Sequence, residues 1–292
     1  MAEWELRPLS LGEILDRTFT LYRRNFLLFL GITAIPHLLT LGLNITQVML
    51  TKFPAVRKPS VPVEEFQTRA ASNGLMAFGI GGFLLAIVIY LLVYLFSQGG
   101  TIYAVSDLYL GRPTTIAGSL KRMWGQLLNL LGVTILNGLA IAALTIFLII
   151  PGVYVACRLL TCVPAALLED LGARASLERS WELTKENAGR AFLIYLLYFA
   201  MLYGIMAVSM IPFGVMMTMS ARDPMMFRTA TILMQVASFV ASIIVGPFLL
   251  IATSVFYYDL RVKKEAFDLQ LMMNPEGVSA LPARPSIPSI LG

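Results

Sequence analysis

Six apolar blocks, at about 26–50, 75–106, 127–150, 152–168, 191–219 and 229–258, constrain this chain more than any other feature of its sequence. A helix needs about 20 apolar residues to cross the hydrocarbon core of a bilayer. The fourth block is the shortest and contains a charge, Arg158. Composition points the same way: 58% of the residues are apolar and 13% charged, against roughly 45–50% and 25% in soluble domains. The expected fold class is all-α, a polytopic membrane protein with about six transmembrane helices. Glu3, Glu5, Glu13 and Asp16 precede the first block, which is too long for a signal-peptide core, so no leader is expected to be removed.

Basic residues near span ends are held on the cytoplasmic side. With six spans and the N-terminus inside, Lys52, Arg57, Lys58, Arg69, Arg222 and Arg228 fall outside, while fifteen basic residues fall inside. Both termini are therefore expected in the cytoplasm. The net charge of +5 reads as a topology signal with some attraction for anionic lipid heads. No basic run interleaved with aromatics lies outside the apolar blocks, so nucleic acid is not an expected partner.

The phrase "RTFTLYRRN" (17–25) nearly returns as "RSWELTKEN" (179–187). The first belongs to a stretch opening with Ser10 and Glu13, a capping box that satisfies the first free N–H groups of a helix, with Leu9 placed to close over Ile14. Leu11, Ile14, Leu15, Thr18 and Tyr22 then share a face, as on a short amphipathic helix at a membrane surface. In the second copy Leu177, Trp181 and Thr184 run along one side. A weaker third copy occupies 115–136. Each return span ends on Asp-Leu with a base soon after, at Asp107, Asp170 and Asp259, and carries Gly99-Gly100, Pro164 or Gly246-Pro247 further up as a helix-weakening element. Trp4, Trp124 and Trp181 fall one per unit near the expected interface.

These features predict three hairpins, each preceded by a cytoplasmic amphipathic helix. They form a single helical membrane domain over 1–273, with repeats at about 9–110, 111–172 and 173–262. The segment 51–72, with three prolines, reads as an external loop, and the Pro-rich tail 274–292 is expected to be disordered.

The stretches 6–26, 150–187 and 257–272 resemble the bacterial family of glycerophosphoryl diester phosphodiesterase membrane domains. Some relatives join that membrane domain to a soluble phosphodiesterase domain. This chain ends at Gly292 without room for one, so the resemblance implies the membrane part alone, in the bacterial cytoplasmic membrane, and carries over no hydrolase activity or catalytic residues.

The residues themselves offer no paired carboxylates, activated nucleophile or metal-ligand spacing of the kind hydrolysis requires, and they call for no cofactor or metal. His37, the only histidine, is a structural polar residue of the first span or, alternatively, a group for binding or proton movement. Cys157 and Cys162 lack CxxC spacing and read as buried thiols. "GIGGF" (79–83) lacks the strand that a nucleotide-binding turn follows and suits close helix packing. Met216, Met217, Met219, Met225 and Met226 could hold Cu(I), but flexible apolar side chains at a helix end account for them.

Arg158 is the most informative residue. A charge inside a span costs at least about 2.5 kcal/mol at the bilayer centre, so it must snorkel, bond freed backbone carbonyls, or bind an anionic group such as a lipid phosphate. Asp107, Asp170 and Asp259 read as interfacial ion pairs and turn residues in preference to a cation-attracting ring. Glu169, Glu178, Glu182 and Glu186 leave room for a protein partner at the amphipathic helices, beside the membrane lipids themselves. The expected function is non-enzymatic, in membrane organisation or in lipid and protein interaction. The alternative is a transporter or lipid carrier with its anion site at Arg158.

Overall fold

The computed structural model describes residues 7–50, 63–219 and 223–265, which form ten helices and no strand. Trp4, Lys52, Arg57, Lys58, Arg222 and the tail 274–292 lie outside the described residues. Three times a short helix leads into a long apolar one: α1 (Leu11–Arg24) into α2 (Phe26–Leu50), α4 (Ile116–Trp124) into α5 (Leu127–Phe147), and α8 (Ala173–Leu183) into α9 (Ala188–Met219). Between and after them run α3 (Val63–Tyr109), the two-piece α6 (Ile149–Arg158) and α7 (Cys162–Leu168), and α10 (Pro224–Glu265). Six stretches are long and apolar enough to cross a membrane: Phe26–Met49, Leu84–Tyr109, Leu127–Phe147, Ile149–Leu168, Ala188–Met216 and Met225–Glu265. The protein is an integral membrane protein.

The helices pack in a closed order. α3, α7 and α10 touch one another; α2 lies against α3 and α10, α5 against α3 and the α6–α7 pair, and α9 against α6 and α10. Tyrosines tie the inner three together. Tyr103 donates to the Leu167 carbonyl at 3.3 Å, Tyr257 to Glu169 at 2.7 Å, and Ser106 and Tyr258 share a hydrogen bond of 2.7 Å. The short helices seat on this triangle, α1 on α10, α4 on α3, and α8 on α7. They define the capped end of the bundle, where α3 from Leu95 and α10 from Ile251 are buried almost continuously. At the opposite end, Ile146–Ile150 of the α5–α6 turn stand 65–83% exposed, which suits apolar side chains that meet lipid.

Four features depart from the sequence expectations. Helix α3 starts at Val63, so 63–72 are helical and not loop. The α5–α6 turn is the single residue Leu148, ahead of Pro151, because a proline in the first turn of a helix forfeits no bond. For the same reason the fourth span breaks at 159–161, before Pro164 in the first turn of α7. The other two return helices do not break. α3 runs through Gly99-Gly100, which lets α4 approach: a Cβ on Gly99 would lie 2.0 Å from Met123 Sδ. α10 runs through Pro247, whose ring leaves the Ile243 carbonyl without an N–H; Thr33 Oγ1 approaches that carbonyl at 3.5 Å, and Tyr22 donates to its neighbour Ile244 at 2.8 Å.

The short helices turn much of the expected face inward, with Leu11 and Tyr22 of α1 and Leu177 of α8 packing against the core. α1 carries the capping box, with Ser10 Oγ accepting from Glu13 N and Glu13 Oε2 from Ser10 N, and buries Ile14, Thr18 and Leu21. α8 buries Ser176, Ser180 and Leu183, while Trp181 is exposed. In each short helix the hydroxyl residue seven places before the hinge into the long helix, Thr18, Ser119 or Ser180, is buried. Small side chains there allow the helix to approach its seat closely.

Candidate functional site

The break in the fourth span sits against α8. Cys162 N bonds the Leu159 carbonyl, which leaves the Arg158 carbonyl without its helical partner. Ser180 Oγ (3.0 Å) and Thr184 Oγ1 (2.7 Å) donate to that oxygen instead. The Arg158 side chain turns the same way. It is 2% exposed, its Nη2 donates to the Trp181 carbonyl at 2.6 Å, and its guanidinium lies 4.4 Å from the Trp181 ring centroid and 6.0 Å from that of Tyr154. That carbonyl belongs to the last turn of α8, the negative end of the helix dipole. Among the described residues no carboxylate lies within salt-bridge distance of Arg158, and its Nε has no partner. A guanidinium between a helix end and an indole face is compensated by partial charges and cation–π attraction, not by a counter-ion.

Charges at the capped end gather into two knots around the end of α10. In one, the 1% exposed Asp259 accepts from Leu9 N (2.6 Å), Arg190 Nη1 (2.8 Å) and Lys263 Nζ (3.0 Å), and the two cations also donate to the Leu9 carbonyl. In the other, Arg179 binds Glu169 at 2.8 Å and Glu265 at 2.5 Å, and Arg261 lies 3.1 Å from Glu265 and 3.9 Å from Glu169. Burial disfavours the charge on Arg179, but Glu169 and then Glu265 outweigh it and hold its pKa above the ordinary arginine value. Lys264 adds a bond to the Glu182 carbonyl at 2.8 Å.

The three aspartates therefore lie in different settings. Asp259 is sealed within a knot. Asp107 faces Arg122 of α4 at 3.6 Å. Asp170 accepts from Gln126 at 2.6 Å and adopts a left-handed backbone, φ 53°, at the turn after α7. Each one joins a return span to another element. His37 folds back on its own helix, its Nδ1 at 2.8 Å from the Thr33 carbonyl; a carbonyl only accepts, so Nδ1 carries the proton. Cys157 and Cys162 are buried free thiols on either side of the break. Met219, Met225 and Met226 are exposed at the open end. Among the described residues no group of three His, Cys, Asp or Glu side chains could hold a metal ion.

A groove of about 410 Å³ opens between α2, α3 and α4, lined by Ile32, Ile35 and Pro36, by Val93, Phe96 and Ser97, and by Leu120, Lys121 and Trp124. Phe96 and Trp124 pack together in its lining, with ring centroids 5.5 Å apart.

Sequence reasoning found Arg158 and Asp259 but not their partners. Ser180 was legible only as the counterpart of Thr18 in the repeated phrase, and Thr184 only as a member of the side shared with Leu177 and Trp181. Tyr257, Arg261 and Glu265 sit in "YYDLRVKKE" (257–265), where spacing on one helix says nothing of Glu169 on another. Residues 137–280 match the family described as the membrane domain of glycerophosphoryl diester phosphodiesterase. The match runs from within α5 to beyond α10 and takes in the Arg158 break and both knots. It bears out the resemblance carried by 150–187 and 257–272. No curated protein and no solved structure gave a significant match.

Proposed function

We propose that this protein is a non-enzymatic membrane protein of the bacterial cytoplasmic membrane. Its capped end faces the cytoplasm and engages anionic lipid and partner proteins in organising the membrane. One observation carries this reading. Each short helix turns an aromatic outward beside basic side chains: Phe19 with Arg23, Trp124 with Lys121, Trp181 with Lys185. Aromatic rings favour the level of the lipid head groups, and lysine and arginine beside them favour the anionic leaflet. The inward charges are meanwhile paired with one another in the two knots, so they support the cap and leave the outward ones to meet lipid.

The test is mass spectrometry of lipids retained after gentle detergent purification. Enrichment of anionic over zwitterionic phospholipid relative to the host membrane is expected, reduced when Arg23, Lys121 and Lys185 are all changed to glutamine. Retained lipid that mirrors the host membrane in both proteins removes the proposal.

Arg158 favours a second reading, a carrier for an anionic group. Its buried guanidinium has no carboxylate counter-ion within reach among the described residues, and a phosphate could replace the Trp181 carbonyl. Water-soluble thiol reagents should then reach cysteines placed around Arg158, and Arg158→Leu should lose one anionic species. Protection of those cysteines from both sides sinks this reading.

A further inference from the structure

The groove between α2, α3 and α4 is a built cavity in a part of the molecule that the charge knots do not use. Close packing accounts for its floor. A Cβ on Gly31 would lie 2.4 Å from Ile116 Cδ1 and one on Gly100 3.0 Å from Leu120 Cδ2, so α4 lies close on the α2–α3 pair. Pro36 occupies the groove-lining stretch of α2, where a proline removes a helical bond and bends the helix.

The lining decides what fills the groove. Of the nine lining residues, only Ser97 and Lys121 carry a polar side-chain group, apart from the indole N–H of Trp124. Lys121 and Trp124 stand at the exposed edge, which leaves Ser97 as the one polar side chain within, short of the two to four partners a bound water needs. The apolar material available beside transmembrane helices is the lipid acyl chain. Lys121 stands exposed at the rim, with no carboxylate within salt-bridge distance among the described residues, and Trp124 is 72% exposed beside it. A cation and an indole at one mouth of an apolar slot place a phosphate there and the chain inward.

We infer that this groove binds one acyl chain of an anionic phospholipid, with its phosphate on Lys121 and its chain against Ile35, Pro36, Val93 and Phe96. The inference rests on the lipid-engaging reading above and assigns it one site on α4, in the cytoplasmic leaflet.

Trp124 itself reports occupancy. In a Trp4→Phe, Trp181→Phe background it is the one remaining indole, and bromine atoms on a bound chain quench it. The full chain is reconstituted in phosphatidylcholine bilayers containing increasing fractions of brominated phosphatidylglycerol or brominated phosphatidylcholine. The anionic lipid should quench at about fivefold lower mole fraction, the factor that one lysine near the surface contributes. Lys121→Gln should abolish that preference while leaving quenching by both lipids. Ile35→Phe, which fills the slot without touching the charge, should reduce quenching by both. Equal quenching by the two lipids in the Lys121 protein, or a preference that survives Lys121→Gln, overturns the inference. Anionic enrichment in the retained lipids together with equal quenching removes the groove as the site and leaves the proposed function standing. Absence of both effects removes the two together.

Discussion

Replacing Asp259 by alanine tests whether the capped end is held by its buried charges. The carboxylate is almost fully enclosed and accepts three hydrogen bonds, two of them from cations. Removing one partner of a buried pair costs about 3–5 kcal/mol, because the remaining charge stays desolvated. Here the cost should lie near the lower bound, about 3 kcal/mol, since Arg190 and Lys263 are partly exposed and keep the Leu9 carbonyl. For a chain of this size about 2–4 °C accompanies each kcal/mol, so the apparent Tm should fall by about 6–12 °C. The protein supplies its own probe: Cys157 and Cys162 are buried free thiols, and a maleimide dye that fluoresces on reaction reads their exposure during heating in detergent. Asp107→Ala is the control, because its 3.6 Å contact to the half-exposed Arg122 should contribute under about 1 kcal/mol. Adding Arg190→Met to Asp259→Ala removes one stranded charge and should recover part of the loss. Equal, small shifts for Asp259→Ala and Asp107→Ala would refute the reasoning.

The same assay bears on the broken span. Ser180→Ala and Thr184→Val each remove one of two donors to the Arg158 carbonyl and should cost about 0.5–1.5 kcal/mol. The double variant leaves that carbonyl bare and should cost more than the sum; strict additivity would contradict it. Gly99→Val places a Cβ onto Met123 Sδ and should destabilise by about 1–3 kcal/mol, whereas an unchanged Tm would mean that α4 is not seated there. Glu13 should titrate at about 2, held down first by the Ser10 backbone N–H, then by Arg7 and the Ser10 hydroxyl. Its folded pKa lies below the ordinary 4.5, so its support of α1 is complete above that value and is lost as pH falls through about 2. Carboxyl NMR of Glu13 checks this, and a midpoint near 4.5 would remove the capping box from solution.

The apolar blocks of the sequence marked the six spans because length and hydropathy are properties of single segments. The Ser10–Glu13 cap was legible for the same reason, since both partners lie within one turn. What stayed hidden depends on which faces meet. Thr18 fell on the face expected to turn inward and does so, whereas Ser180 was assigned to no face and is buried all the same, because a neighbouring helix needs small side chains and hydrogen-bond donors there. Gly99-Gly100 looked like a weak point and serves as a seat, and no local pattern distinguishes the two. Arg158 stood out as a charge inside a span, but its partners are the end and indole of α8, which no spacing rule connects to it.

The docking of α1 on α10 has a consequence for how the chain is made. Leu9 and Asp259 lie near opposite ends of the described residues and bond directly. As synthesis proceeds from the N-terminus, the first short helix lacks its main seat, on α10, until the final span has entered the bilayer. Every intermediate therefore carries an unpaired Leu9 backbone and an open flank on α2. Closure of the ring should come last in assembly, and a chain that stalls before it leaves the Leu9 backbone and the flank of α2 unmet.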